Sequence, residues 1–184
     1  MRDKLRGAMF RQRPVRVVAG AEQLTGYSVG IGRKWLLLHA LDDGMNLDGY
    51  SAVRLADVRA VELPDGTLPR RVLQLRGQWP PRPPQPAFPL DRTTDLVLAA
   101  GAAYPLIAIE SLLSDPGHRF VGIVRGVEDG RLRLHLLEHD LTWQAEPGHW
   151  RLKQVTLVEV GRAYERALWE AAGHEPIPEA GTSR

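Results

Sequence analysis

The chain contains no cysteine. That excludes disulfides, thiolate nucleophiles and cysteine-based zinc sites, and it fits a reducing compartment, so a cytoplasmic protein is expected. No run approaches the roughly 20 apolar residues that a membrane-spanning helix needs, so no membrane partner is expected. The opening residues MRDKLRGAMFRQRPVRVV are basic and lack the apolar stretch of a secretory signal. Also missing are a GxxxxGK[ST] phosphate loop, a GxGxxG dinucleotide fingerprint and paired carboxylates placed for acid–base work, so no cofactor is expected.

What is present is the composition of a packed globular protein. The 184 residues are 43% apolar and 25% charged, enough for one large domain or two small ones. The formal charge of +2 hides an asymmetry. Residues 1–92 carry 15 Lys and Arg against 9 Asp and Glu, and residues 93–184 carry 9 against 13. A basic half can meet nucleic acid or an acidic partner, and a plain arginine-rich solvated surface is the simpler account.

Residues 77–90, GQWPPRPPQPAFPL, hold six prolines. Proline blocks helix and favours extended backbone, so this stretch is expected to be a linker, with Trp79 pinning it to a neighbouring domain. The flanks resemble each other. WLLLHAL (35–41) aligns with RLRLHLL (131–137) at an offset of 96, and RLADVRAVEL (54–63) with RLKQVTLVEV (151–160) at 97. An interval of that length points to duplication of a small domain.

Each copy reads as helix, five short strands, helix. Helices are expected over 3–12, 68–77, 91–103 and 163–173, the third capped by Asp91 or Thr93 and the fourth ended by Gly173. Strands are expected over 14–20, 24–32, 34–42, 49–55 and 57–63, then 104–112, 118–129, 131–139, 149–153 and 155–160, with turns at Asp43-Gly44 and Asp129-Gly130. Five short bent antiparallel strands commonly close into a small barrel, which removes free edges.

LTGYSVGIGRKWLLLHALDD and FVGIVRGVEDGRLRLHLLEHD resemble the first motif of the Sm-like (LSm) family: apolar, glycine, apolar, a turn, then an apolar run ending in acidic residues. Gly26 or Gly30, and Gly122, stand where that fold bends its second strand. LDGYSAVRLADVRAVEL and FVGIV are also similar to bacterial proteins with duplicated Sm-like domains. The resemblance covers most of residues 1–172. It implies a mainly β (α+β) chain of two tandem Sm-like, SH3-like five-stranded barrels with flanking short helices. The units are expected at 1–76 and 91–172, with the linker at 77–90 and a disordered tail at 173–184. The asparagine and the Arg-Gly pair that the family's RNA binders use are missing, so no uridine-binding residue carries over.

GYSVG (26–30) matches the G-x-S-x-G nucleophile elbow. An elbow serine sits on a sharp strand-to-helix turn, with acid and histidine following. Here a strand, a turn and another strand follow, His39 is only 11 residues on, and the second copy has no serine at this place. Glycines so spaced in a strand mark a bend or a close backbone approach. His135 and His139, with His149, suggest a metal site only weakly, because no third ligand has motif spacing. Asp42, Asp43 and Asp48 lack the frame and the glutamate of a calcium loop. Trp35, Tyr50, Trp143, Trp150 and Trp169 serve either base stacking or core packing, and packing is the commoner use.

A non-catalytic binding or scaffold protein is therefore expected, without metal. The first alternative is RNA binding through the basic half, by Arg11, Arg13, Arg16, Arg33, Lys34, Arg70 and Arg71. The second is a barrel that binds a small molecule or peptide, which a deep apolar pocket between the copies would favour. Protein partners and homo-oligomers formed through edge strands are further expectations.

Overall fold

The computed structural model describes residues 1–173 except residues 21, 113, 115 and 116. The tail expected to be disordered lies, from residue 174 on, outside the described residues. The first half consists of α1 (Arg2–Phe10), β1 (Pro14–Ala19), β2 (Glu22–Ile31), β3 (Trp35–Leu41), β4 (Leu47–Arg54), a 3-10 turn at Leu55–Asp57, β5 (Val58–Glu62) and α2 (Thr67–Leu75). The second half repeats the order: α3 (Thr93–Ala103), β6 (Ile107–Ser111), β7 (Phe120–Glu128), β8 (Arg131–Leu136), β9 (Gly148–Arg151), a 3-10 turn at Leu152–Gln154, β10 (Val155–Val160) and α4 (Ala163–Ala172). Each run expected as a strand overlaps one, with β2, β4 and β9 starting one or two residues earlier than expected.

The chain is mainly β. Its strands form one antiparallel open sheet in the order β5-β1-β2-β3-β4-β10-β6-β7-β8-β9. The two halves thus have the same internal order and meet where β4 pairs with β10, Tyr50 opposite Val160 and Val53 opposite Leu157. Hydrogen bonding links the strands into this single sheet rather than into two separately closed barrels. The physical reason is that the outer edge of β10 is taken by β4 of the neighbouring half.

The duplication reaches the backbone detail. A Cβ at Gly26 would stand 2.5 Å from the carbonyl oxygen of His39, and one at Gly122 would meet the carbonyl oxygen of His135 in the same way. Register shifts follow at Ser28/Gly30 and at Val124/Gly126. Both second strands therefore bend at matching points, where only glycine lets the next strand approach so closely.

α1 covers one core, with Leu5 and Ala8 set against Val15, Val17, Leu36, Leu38 and Val53. Leu5 and Ala8 are three apart, one helical face, and Pro14 starts the strand that follows. α3 does the same for the second half, placing Leu96, Val97 and Ala100 on Ile107, Ile109, Leu132 and Leu134. That core continues across the join to Trp35, Leu37 and Ala52 of the first half. α4 covers the other face of the second half through Leu168. The third helix lacks the expected side-chain cap. Its N-cap is Arg92, because Asp91 instead accepts the Arg33 backbone N–H (2.6 Å) and the Thr93 hydroxyl accepts the Trp35 indole N–H (3.3 Å).

The proline-rich segment lies against the first half. Trp79 packs edge-on to Tyr27 (5.7 Å) under the Arg70 guanidinium (4.9 Å). Tyr50 donates to the Arg82 carbonyl (3.1 Å), and Phe88 is buried in the shared core. The Leu90 carbonyl accepts the backbone N–H of Trp35 (3.0 Å).

Ionic contacts stitch the join. Arg119 bonds Glu110 (2.7 Å), Glu22 (2.9 Å) and Glu159 (3.0 Å), so one guanidinium ties a first-half carboxylate to two from the second half. Glu159 also accepts from the Ser51 hydroxyl (2.8 Å) and pairs with Arg162. Asp48 accepts the Ala163 backbone N–H (2.7 Å) and pairs with Arg166 (3.2 Å) and Arg162 (3.5 Å).

Candidate functional site

The serine of GYSVG is buried, with 4% of its surface exposed, and its hydroxyl has no hydrogen-bond partner. Ser28 stands opposite Leu38, and His39 opposite Tyr27. Neighbouring strand residues point to opposite faces, so the hydroxyl and the imidazole lie on different sides of the sheet. His39 stacks on Tyr50 (4.5 Å), and burial pushes its pKa down to about 4. Neither group is placed to activate the other.

The basic residues read from the sequence are dispersed. Arg11 and Arg13 are exposed in the connection from α1 to β1, and Arg16 on β1 pairs with Glu62 (3.4 Å). Arg70 and Arg71 lie on α2, with Arg70 over Trp79. Arg33 and Lys34 form the turn between β2 and β3, where Arg33 is tethered to Asp91 (3.4 Å). Of the seven, Lys34 alone lines a cavity rich in basic side chains, and Arg33 adjoins it through its pairing with Asp91.

That site is an open cavity of about 640 Å³. Lys34 forms one wall, and Arg92 stands at the start of α3. Arg131 begins β8 just after the β7–β8 turn, Arg151 ends β9, and Lys153 lies within the second 3-10 turn. Asp91 and Asp129 are its two acidic side chains. Repeated backbone bonds hold these turns in place. Leu55 N–H donates to the Lys34 carbonyl (2.9 Å), and Leu152 N–H donates to the Gly130 carbonyl (2.9 Å).

Charge dominates here. Among the described residues Lys34, Arg131, Arg151 and Lys153 form no ion pair through their side chains. α3 begins at the cavity with no side-chain cap, so its first backbone N–H groups and the positive end of its dipole face the same space. The five cationic side chains of the lining outnumber Asp91 and Asp129, and an anion relieves the remaining repulsion. Sequence reasoning missed Arg92, Arg131, Arg151 and Lys153, three of which belong to the half with the acidic excess. No local signal marks them, because the turns that carry them meet only in the folded chain.

Among the described residues no aromatic side chain lines this cavity. Trp35 is fully buried, Tyr50 lies under the proline segment, Trp143 packs on His135 (5.2 Å) and Trp150 on Phe120 (4.9 Å). Trp169 packs against the core beneath α4. His135 lies on β8 with its Nε2 2.7 Å from the Gln144 carbonyl, whereas His139 falls beyond the end of that strand. Among the described residues no group of three or more His, Asp or Glu is placed to hold a metal ion. No helix among them is long and apolar enough to cross a membrane.

No family model, curated protein or solved structure matches the chain.

Proposed function

We propose that the chain is a non-catalytic binding protein built from two Sm-like units, residues 1–76 and 91–172, joined by the segment 77–90. Its ligand is the phosphate backbone of single-stranded RNA, held in the basic cavity where the two halves meet. The observation that carries this reading is the set of four unpaired cationic side chains converging from three turns on one cavity. The repeated strand order and the matched bends at Gly26 and Gly122 support the Sm-like assignment. With no aromatic on the walls, recognition rests on phosphates rather than stacked bases, so sequence preference is weak.

Fluorescence anisotropy with a labelled single-stranded RNA tests this. Three or four neutralised phosphates give a slope of log K against log salt of about −2 to −3. Replacing Arg131 and Arg151 with alanine should flatten it by about 0.7 for each phosphate no longer neutralised. An affinity indifferent to salt, or a slope unmoved in the double variant, rejects RNA at this cavity.

A second reading concerns partners. β5 and β9 are the free edges of the sheet, and in the repeat they correspond to β10 and β4, which pair inside the chain. A second copy docking its β9 on β5 would repeat that internal join, giving head-to-tail association.

A further inference from the structure

A second cavity, of about 360 Å³, lies at the join on another part of the sheet. Its volume is in the range of small-molecule sites, which run from about 300 to 1,000 Å³. Leu24 and Val53 from the first half and Leu157 from the second form an apolar floor, continuous with the core under α1. Glu22 and Glu110 stand at its polar side, one from each half.

These two carboxylates belong to a network short of positive charge. Arg119 serves Glu22, Glu110 and Glu159, Arg162 serves Glu159 and Asp48, and Arg166 serves Asp48. Buried Glu165 adds a further acid beside Arg162. Three guanidiniums therefore face five carboxyl groups. Burial, with Glu22 and Glu159 adding to it against the pull of Arg119, pushes the Glu110 carboxyl above its ordinary pKa. Asp57, also on the lining, is already satisfied by a two-pronged bond from Arg54 (2.5 and 2.9 Å). Arg59, the basic side chain on the lining, is exposed. A cation held between Glu22 and Glu110 would add positive charge that the three guanidiniums do not supply.

We propose that this cavity binds a small organic ammonium ion, its apolar body on Leu24, Val53 and Leu157 and its charged nitrogen between Glu22 and Glu110. The ammonium donates to two carboxylates that already share one guanidinium, and the apolar body leaves water for a preformed apolar floor. The site uses residues of both halves, so it exists only because they are joined. It is separate from the basic cavity, and its ligand has the opposite charge.

The test uses the full chain, 2-phenylethylammonium as the probe and 3-phenylpropanoate as an anion of similar shape. Backbone amide shifts in two-dimensional NMR report where each binds. The cation should move the amides of Leu24, Ala56 and Leu157 to saturation at low millimolar concentration, and the anion should leave them unmoved. Glu110→Gln keeps the side chain's shape and should weaken the cation about tenfold. Ala56→Trp at the rim should abolish binding. If Glu110→Gln loses its native spectrum, Glu22→Gln serves in its place. Equal binding of cation and anion, undisturbed amides at these three positions, or unchanged affinity in the glutamine variant overturns the proposal.

Discussion

Replacing Arg119 with methionine should destabilise the chain through the charges it leaves behind. Arg119 bonds three carboxylates at 2.7–3.0 Å, and the side chain of Glu159 is only 7% exposed. Removing one partner of a buried pair costs about 3–5 kcal/mol. The lower end applies, because Glu159 keeps Arg162 and Ser51, and Glu22 and Glu110 retain some water. The pH dependence is a sharper check. In the native chain burial would raise the Glu159 carboxyl, but Arg162, Arg119 and Ser51 outweigh it and hold the pKa below its ordinary value. Its contribution is therefore present above the unfolded carboxylate pKa and is lost as pH falls through the lower folded one. In the variant Glu110 loses the guanidinium that pulls its carboxyl down, so its folded pKa rises further and mild acid stabilises the chain by protonating it. The two stability curves should converge on going from pH 7 to pH 5. Urea unfolding at both pH values measures this, with an unchanged m-value showing that both chains unfold from the same compact state. A loss under about 1 kcal/mol at pH 7, or a gap that does not narrow, would refute the network as described.

Ser28→Ala should raise stability by about 1 kcal/mol in thermal or urea unfolding, since it removes a buried hydroxyl without a partner; a loss would mean that the hydroxyl is satisfied in solution. Gly26→Ala and Gly122→Ala should each cost about 1–3 kcal/mol, because the added methyl meets a backbone carbonyl that cannot swing away. Similar losses at the two positions are expected from the shared bend, and a neutral result at either would contradict it. Size-exclusion chromatography with light scattering, on the native chain and on Val61→Pro, reads the edge pairing: a concentration-dependent oligomer that the proline weakens is expected, and a monomer at all concentrations sinks that reading.

The strands and the duplication were legible because they rest on local signals. Alternation in PVRVVA, the leucine run of WLLLHAL and the Asp-Gly turn at 129–130 all act within a few residues. The continuous sheet was not legible. Pairing of β4 with β10 joins residues more than a hundred positions apart, and nothing in YSAV or LVEV specifies its partner. Asp91 reads as a helix cap until the Arg33 turn arrives and takes its carboxylate. Net charge did not point to the basic cavity for a related reason. It averages over a whole half, whereas a binding surface is decided by the few side chains that share a cavity. Lys34 fell in the expected set, but Arg131, Arg151 and Lys153 lie in a half whose sum is negative.

The pairing of β4 with β10 lies inside one polypeptide, and this changes what evolution and dilution can do to it. Two identical subunits must carry every substitution twice, once on each side of their contact. Here each side mutates alone, so Lys34 can face Arg131 across one cavity without a mirror-image second site having to be built. On the proposed reading such a molecule saturates with one equivalent of ligand at each cavity. It also keeps both halves of each site at any concentration, however scarce the protein becomes in the cell.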